Sequence, residues 1–235
     1  MQTRSHPNSG LAAIAADFTR AATQRTFSTK ATIVGQGDES RDLFFILSGS
    51  VTFRLETPSG HDLVLAIAHA GEFFGETGLF EAGAMNAWRV RARSVCNVAH
   101  ISHAQLENDL PLLTTLWPTL TMQLAARLDR QERKAGQMAF CDAPNRVHNA
   151  LLELASAPDA QRKSDGYGIS VTRVELASMA AVSREAVGRI LMRLQRQGLI
   201  RVKGRAMVVV TNPGSTPQET RIRPVRHVGG VSATL

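Results

Sequence analysis

The sequence predicts an α+β fold in which a jelly-roll β-barrel is followed by a long helix and a smaller C-terminal domain. Three observations predict it. Between about residues 29 and 104, short β-branched and aromatic runs alternate with glycine-containing turns. From about residue 113 to 138, apolar residues recur every three or four positions, which is typical of an amphipathic helix. After residue 142, two helical patterns separated by a short turn precede an alternating apolar hairpin.

Composition limits the classes of protein that fit. The 235 residues carry a formal net charge of +7, which favours a nucleic acid partner first and an anionic membrane surface second, with a basic surface without partner as the alternative. Cys96 and Cys141 lie far apart and outside any CxxC pattern, which argues against a disulfide framework or a cysteine-ligated metal. No signal peptide or membrane-spanning run is evident, so we expect a cytoplasmic protein without membrane association.

The barrel is predicted from five runs, "ATIV", "DLFFIL", "SVTFRLE", "DLVLAIA" and "WRVRARSVCNVAHIS", each bounded by turn signals. Residues 1–28 have a mixed pattern, and "LAAIAADFTRAA" predicts a short helix there. We expect residues 1–110 to form one domain with an N-terminal helix and the barrel.

Residues 111–140 are predicted to form a long dimerisation helix. Its narrow apolar stripe favours a dimer seam over a core face; it consists of Leu113, Trp117, Leu120, Leu124, Leu128, Gln131, Ala135 and Met138. Pro118 lies within this pattern and predicts either the first helical turn, after a separate turn at residues 111–117, or a kink.

The remaining chain predicts a domain over residues 141–212 and a basic, disordered tail over 213–235. Asp142 is a candidate cap for a helix containing "RVHNALLELA", and "SAPDAQRKSDGYG" is predicted as a polar loop. The tail combines glycine, proline, serine and threonine with three arginines, a composition that cannot bury a core.

A helix-turn-helix is predicted within residues 170–200. Thr172 and Glu175 form a capping-box pattern, and Ser183 is a candidate cap for the second helix. On that second helix the apolar residues share one face, and the opposite face carries Arg184, Glu185, Gly188, Arg189, Met192 and Arg193.

The charged face fits the chemistry of base recognition. The first turns of the second helix of such a motif enter the major groove, where arginine donates twice to guanine and glutamate accepts from the cytosine amino group. The hairpin turn Lys203–Gly204–Arg205 is placed to meet phosphate, as the tip of a wing. The alternative interpretation is a solvated charged face on a helical hairpin.

Three motifs make the chain resemble the CRP/FNR family of bacterial transcription regulators. These are "VTRVE…SREAVGRIL" followed by a hairpin, "GEFFGETGLFEAG", and "CNVAHIS" with "RLDRQERKAGQMAF", and the resemblance covers about residues 29–210. It implies a cyclic-nucleotide-binding-like jelly roll, a dimerisation helix and a winged helix-turn-helix. It also implies a homodimer on a palindromic double-stranded DNA site with TGTGA half-sites, and RNA polymerase as a further partner.

The resemblance assigns DNA contacts residue by residue. It implies that Arg184, Glu185 and Arg189 read bases, and that the backbone is contacted by Arg173, Ser183, Lys203 and Arg205.

The effector pocket departs from the family pattern. The resemblance places Gly75, Glu76 and Thr77 at the ribose side, but Asn86 and Ala87 stand where the family has an arginine and a serine for the cyclic phosphate. A one-residue shift puts Met85 and Asn86 there instead. The adenine-side positions correspond to Gln131 and Glu132, and Arg89 or Arg91 is a candidate replacement for the missing arginine. Cyclic AMP, another ligand such as a cyclic dinucleotide, and no effector at all remain open.

A metal enzyme on a barrel, such as a cupin-like oxygenase, is the rival from another class. It requires several histidines and a carboxylate around one metal. The sequence offers one close pair, His100 and His103, without an evident third ligand. We therefore expect no catalytic residues, no metal site and no enzymatic activity.

Overall fold

Two four-stranded antiparallel sheets form the barrel. The computed structural model describes residues 7–57, 62–203 and 206–211, with the backbone alone at residues 7–11 and 203. The strands run in the orders β1-β8-β3-β6 and β2-β7-β4-β5. Their bounds are β1 Thr23–Phe27, β2 Thr32–Val34, β3 Asp42–Ser48, β4 Ser50–Glu56, β5 Asp62–His69, β6 Phe73–Phe74, β7 Arg89–Ala92 and β8 Cys96–Ser102.

The core of the barrel forms because alternate side chains of both sheets point inward. Ile46 and Val98 from one sheet pack with Val51, Phe53 and Val90 from the other. The predicted jelly-roll barrel is thereby confirmed. Strand β1 is absent from the prediction because its residues are mostly exposed and lack apolar alternation. It is held instead by pairing along β8, from Thr23 opposite His100 to Phe27 opposite Cys96.

In the part of the chain that the structure describes, the barrel is accompanied by the helices α1 (Pro7–Ala21), α2 (Thr77–Phe80), α3 (His103–Asn108) and α4 (Leu110–Phe140). Helix α4 begins at Leu110 and contains Pro118 in its interior. The prediction that Pro118 marks the first helical turn is therefore wrong. Pro111 occupies the first turn instead, where a missing backbone N–H costs no hydrogen bond.

The apolar stripe of α4 serves more than one purpose. Leu120 of the stripe is buried and packs with Phe18, Phe45 and Phe73 in a second core cluster, together with Leu116 on the same helix; Leu113 and Trp117 are partly buried against this cluster. Leu128, two turns further along, is 62% exposed. The N-terminal part of the stripe thus belongs to the core of the same chain. Periodicity alone does not distinguish such a core face from a dimer seam.

The chain divides into two compact units, residues 1–128 and 129–235. Apart from the end of α4, the described part of the second unit contains α5 (Ala143–Ala155), α6 (Arg173–Ala180), α7 (Arg184–Arg196) and a sheet ordered β11-β12-β10-β9. These strands are β9 Gln161–Lys163, β10 Gly166–Ser170, β11 Ile200–Lys203 and β12 Ala206–Val210.

The segment predicted as a polar loop contains β9 and the start of β10, so that prediction is wrong in part. All three residues of β9 are exposed, and pairing with β10 rather than burial holds them. Asp142 caps α5 as predicted, accepting from the backbone N–H of Asn145 at 2.9 Å. The predicted basic tail over 213–235 and the residue Arg205 lie outside the described residues.

Within the described ranges, no helix has the length and apolarity needed to cross a membrane. The same part of the chain holds no group of three or more histidine, cysteine or acidic side chains arranged to bind a metal ion. Both cysteines are buried and unpaired as disulfides.

Candidate DNA interface and effector pocket

The helix-turn-helix is built from α6, a short turn and α7. The hydroxyl of Thr172 accepts from the N–H of Glu175 at 3.1 Å, and the hydroxyl of Ser183 accepts from the N–H of Ala186, also at 3.1 Å. These contacts satisfy N–H groups that each helix start would otherwise leave unpaired. Between the helices, Ala181 adopts a left-handed conformation with φ of 51°.

Helix α7 separates its faces as the sequence indicates. Val187, Leu191 and Leu194 are buried against the rest of the unit. Arg184, Glu185 and Arg189 are exposed. An open groove of about 470 Å³ lies along this face, lined by Arg173, Arg184, Glu185, Gly188, Arg189 and Met192.

Two charged side chains of this face are paired with each other. Nη1 of Arg189 lies 3.0 Å from Oε1 of Glu185, one helical turn away, and the two side chains are 68% and 82% exposed. Exposed pairs of this spacing contribute only about 0.3–0.5 kcal/mol. Both groups can therefore exchange this contact for a base edge at low cost.

The groove also has an apolar component that the sequence analysis left without a role. Met192 lines the groove and is 54% exposed, although it is a large apolar side chain. The signal was present in the sequence, because Met192 falls on the charged face of the helix. The wing consists of β11 and β12; Lys203 ends β11, and its side chain is not among those described.

The candidate effector pocket lies beside a turn of the barrel formed by residues 75–77. Gly75 has φ of 87°, and a Cβ atom there would lie 2.4 Å from the carbonyl oxygen of Asp42. The turn is held from outside by Nε2 of His103, 2.9 Å from the carbonyl oxygen of Gly75. His103 is therefore a buried residue with a hydrogen-bond partner in the core.

Arg127 of α4 lines one side of this pocket, although it is not among the site residues predicted from the sequence. Its guanidinium donates to Oε1 of Glu76 at 2.6 Å and to the carbonyl oxygen of Phe73 at 2.8 Å. Its Cζ atom lies 5.4 Å from the ring centroid of Phe53, in cation–π range. The side chains of Arg127 and Glu76 are only 18% and 12% exposed, so this is a mostly buried ion pair.

The cavity that remains inside the pocket has a volume of about 10 Å³, close to the least that admits one water molecule. Its lining includes predicted pocket residues Gly75, Glu76, Thr77 and Asn86. Among the described lining residues, Arg127 supplies the positive charge. The sequence named only Arg89 or Arg91 as a replacement cation, whereas the cation in the described lining is Arg127, whose charge is already matched by Glu76.

The other predicted pocket residues lie elsewhere. Ala87 is exposed, and it is not part of the described cavity lining. Arg89 and Arg91 are not part of the described cavity lining either: Arg89 pairs with Glu56 at 2.7 Å, and Arg91 donates to the carbonyl oxygen of Lys30. Gln131 and Glu132 belong to the second unit, where Gln131 is half-buried and Glu132 is exposed.

Comparison with known proteins agrees with both halves of this description. A model of the cyclic nucleotide-binding domain matches residues 24–110, and a model of the Crp-like helix-turn-helix domain matches residues 145–215. The chain is 42% identical over 190 residues to the cAMP-activated global transcriptional regulator Vfr of Pseudomonas aeruginosa. That match covers 79% of this chain and 88% of Vfr.

The chain belongs to the CRP/FNR family. It is also 37% identical to the cAMP-activated global transcriptional regulator CRP of Salmonella typhimurium, over 78% of this chain and 87% of that protein. Among solved structures, the c-di-GMP responsive global regulator CLP of Xanthomonas campestris superposes with a TM-score of 0.78. CLP is 31% identical, and the match covers 86% of this chain and all of that chain.

Membership in this family confirms the predicted fold class and the predicted class of function. The chain is a DNA-binding transcription regulator with a cyclic-nucleotide-binding domain and a C-terminal helix-turn-helix domain.

Proposed function

We propose that the protein acts as a homodimer on a palindromic DNA site and reads bases with Arg184, Glu185 and Arg189. The observation that carries this proposal is the exposed face of α7, where these three side chains line one open groove. The arginines match guanine, and Glu185 matches the cytosine amino group. A half-site of the TGTGA type supplies both.

Contacts to the DNA backbone complete the interface. Arg173 lines the same groove from the first turn of α6, and Ser183 stands at the N-terminus of α7, where helix ends attract phosphate. Lys203 and Arg205 are proposed to contact phosphate from the wing. Met192 offers an apolar side chain to a thymine methyl group in the same groove.

We further propose that DNA binding does not require cyclic AMP. The names of Vfr and CRP describe activation by cAMP, whereas the name of CLP describes a response to c-di-GMP. In this chain the pocket holds Asn86, whose side chain donates to the carbonyl oxygen of Asp38 at 3.0 Å. Arg127 and Glu76 already fill the pocket. A ligand phosphate that uses Arg127 must therefore compete with Glu76.

Each proposed domain has its own role: residues 1–110 form an effector-type domain, residues 111–140 a dimerisation helix and residues 141–212 a DNA-binding domain. We propose that the chain works by binding rather than catalysis, in the cytoplasm. Contact with RNA polymerase is the expected output of a regulator of this class.

A binding experiment on DNA tests the proposed readers. Arg184→Ala and Glu185→Ala are each expected to cost about 1–3 kcal/mol per half-site and to relax base preference at one position. Lys203→Ala is the matched control, since removing a phosphate-binding charge weakens binding to all sequences alike and lowers the salt slope by about one unit. Fluorescence anisotropy with a palindromic operator and with random DNA measures both. Equal losses on operator and random DNA for all three variants would refute base reading by α7.

Titration calorimetry with cyclic AMP and c-di-GMP, beside operator binding with and without each nucleotide, tests the effector proposal. We expect operator binding by the wild-type protein to be independent of cyclic AMP. Asn86→Arg is expected to raise cyclic AMP affinity, because an arginine adds charge-assisted hydrogen bonds in the pocket. Ala82→Arg, at an exposed turn position, is the control of equal charge. Micromolar affinity of the wild type for cyclic AMP, coupled to a gain in operator binding, would contradict the proposal.

A further inference from the structure

One guanidinium joins the end of α4 to the helix-turn-helix. Arg146 lies in the first turns of α5 and is half-buried. Its Nε atom donates to the carbonyl oxygen of Ala180 at 3.0 Å, and its Nη1 atom donates to the carbonyl oxygen of Cys141 at 2.9 Å. All three residues belong to the second unit.

Both acceptors are carbonyls at the C-terminal ends of helices. Cys141 directly follows the last residue of α4, and Ala180 is the last residue of α6. Such carbonyls have no donor within their own helix, and they carry the negative end of the helix dipole. Arg146 therefore neutralises two helix ends with one cation. Because the guanidinium is planar, it also fixes the orientation of the two carbonyl groups relative to each other.

The residues around the Arg146 bridge between Cys141 and Ala180, here called the junction, are closely packed. Cys141 is 8% exposed and Ala180 is 1% exposed, so both ends of the bridge are packed. On the α5 side, the backbone N–H of Arg146 donates to the carbonyl oxygen of Asp142, the cap of that helix, at 3.0 Å. On the other side, Ala180 is followed by the left-handed Ala181, which turns the chain toward α7.

We propose that Arg146 is a positioning residue: it fixes the helix-turn-helix against the end of α4, and thereby sets the spacing between half-sites that the dimer accepts. This inference rests on the proposed function as a dimer on a palindrome. A displacement of α7 by about 3.4 Å corresponds to one base pair along the duplex. The contacts that hold α6 and α7 in place therefore decide which half-site separation both recognition helices can meet together.

Substitutions of Arg146 separate charge from geometry. Arg146→Gln removes the cation and cannot donate in two directions with the same reach. Arg146→Lys keeps the charge but replaces the fork with a single ammonium group. Arg162, an exposed arginine on β9 of the same unit, provides a control, because Arg162→Gln changes the net charge equally without touching the junction.

The experiment measures the affinity of the full-length protein for a series of palindromes in which the half-sites are moved apart or together by one and two base pairs, and for random DNA. Wild type and Arg162→Gln are expected to show a sharp optimum at one spacing. Arg146→Gln is expected to lose on the order of tenfold at that optimum, the size of one missing charge-assisted hydrogen bond. It should lose little at the other spacings, so that the profile flattens, with Arg146→Lys in between.

Binding to random DNA is expected to stay within about twofold of wild type for every variant, since phosphate contacts supply it; circular dichroism of each variant checks that it is folded. A profile of unchanged shape for Arg146→Gln, whether or not all affinities fall together, would overturn the proposal and leave Arg146 a structural residue only. A wild-type protein without any spacing preference would refute the proposed function itself, which keeps the two failures distinguishable.

Discussion

Gly75 shows at the scale of one residue how the barrel shapes the candidate pocket. Its positive φ of 87° already disfavours other residues, and an added Cβ would meet the backbone oxygen of Asp42 at 2.4 Å. Gly83 has a similar φ of 74° but open space around its missing Cβ. Gly83→Ala is expected to cost about 1–2 kcal/mol of unfolding free energy, the usual left-handed penalty.

Gly75→Ala is expected to cost clearly more than Gly83→Ala, because the clash with a backbone atom adds to the same penalty and forces the turn to shift. Urea unfolding of both variants, followed by circular dichroism, measures the difference. Equal costs for the two variants would show that the turn at Gly75 yields without strain.

The residues of the two candidate sites differ in how far the sequence could predict them. Arg184, Glu185 and Arg189 follow from periodicity, because the face of one helix is a local property of the sequence. Arg127 does not, since its contact with Glu76 joins positions 51 residues apart and depends on how α4 passes the barrel. A comparison of motifs searches for a replacement arginine only near Asn86, the position of the missing arginine. It therefore does not find Arg127, which lies on helix α4.

At the scale of secondary structure elements, the predicted helices and most predicted strands agree with the structure, whereas the edge strands β1 and β9 were not predicted. Strands β3 and β4 carry the alternating or continuous apolar pattern of a core, so they are recognisable in the sequence. Strands β1 and β9 are mostly exposed and exist because a neighbour offers backbone partners. Such pairing depends on residues distant in the sequence, so the local pattern does not predict it. Pro118 within α4 shows that local signals also fail to predict where a helix begins.

At the scale of the whole molecule, the exposed end of the apolar stripe predicts how two chains associate. Leu128 is 62% exposed on α4 although it continues the stripe whose earlier members are buried or partly buried. Leu128→Glu is expected to convert the dimer to a monomer and to weaken operator binding strongly, because like charges would face each other across the seam and the half-sites would no longer be bound together.

Ala126→Glu is the matched control, since residue 126 is exposed and lies about 200° around the helix from residue 128. It should leave the dimer intact. Sedimentation velocity of both variants measures the change in mass. A Leu128→Glu protein that sediments as an intact dimer would place the interface elsewhere.

The ion pair of Arg127 and Glu76 places an internal competitor for anions in the candidate effector pocket. An anion that seeks Arg127 must displace a carboxylate tethered to the same chain, whose effective concentration is high and does not fall with dilution. The apparent dissociation constant of such a ligand therefore equals its intrinsic value divided by the fraction of pockets in which Arg127 is released. A pocket built in this way needs a higher ligand concentration for half-saturation than a pocket with a free guanidinium would.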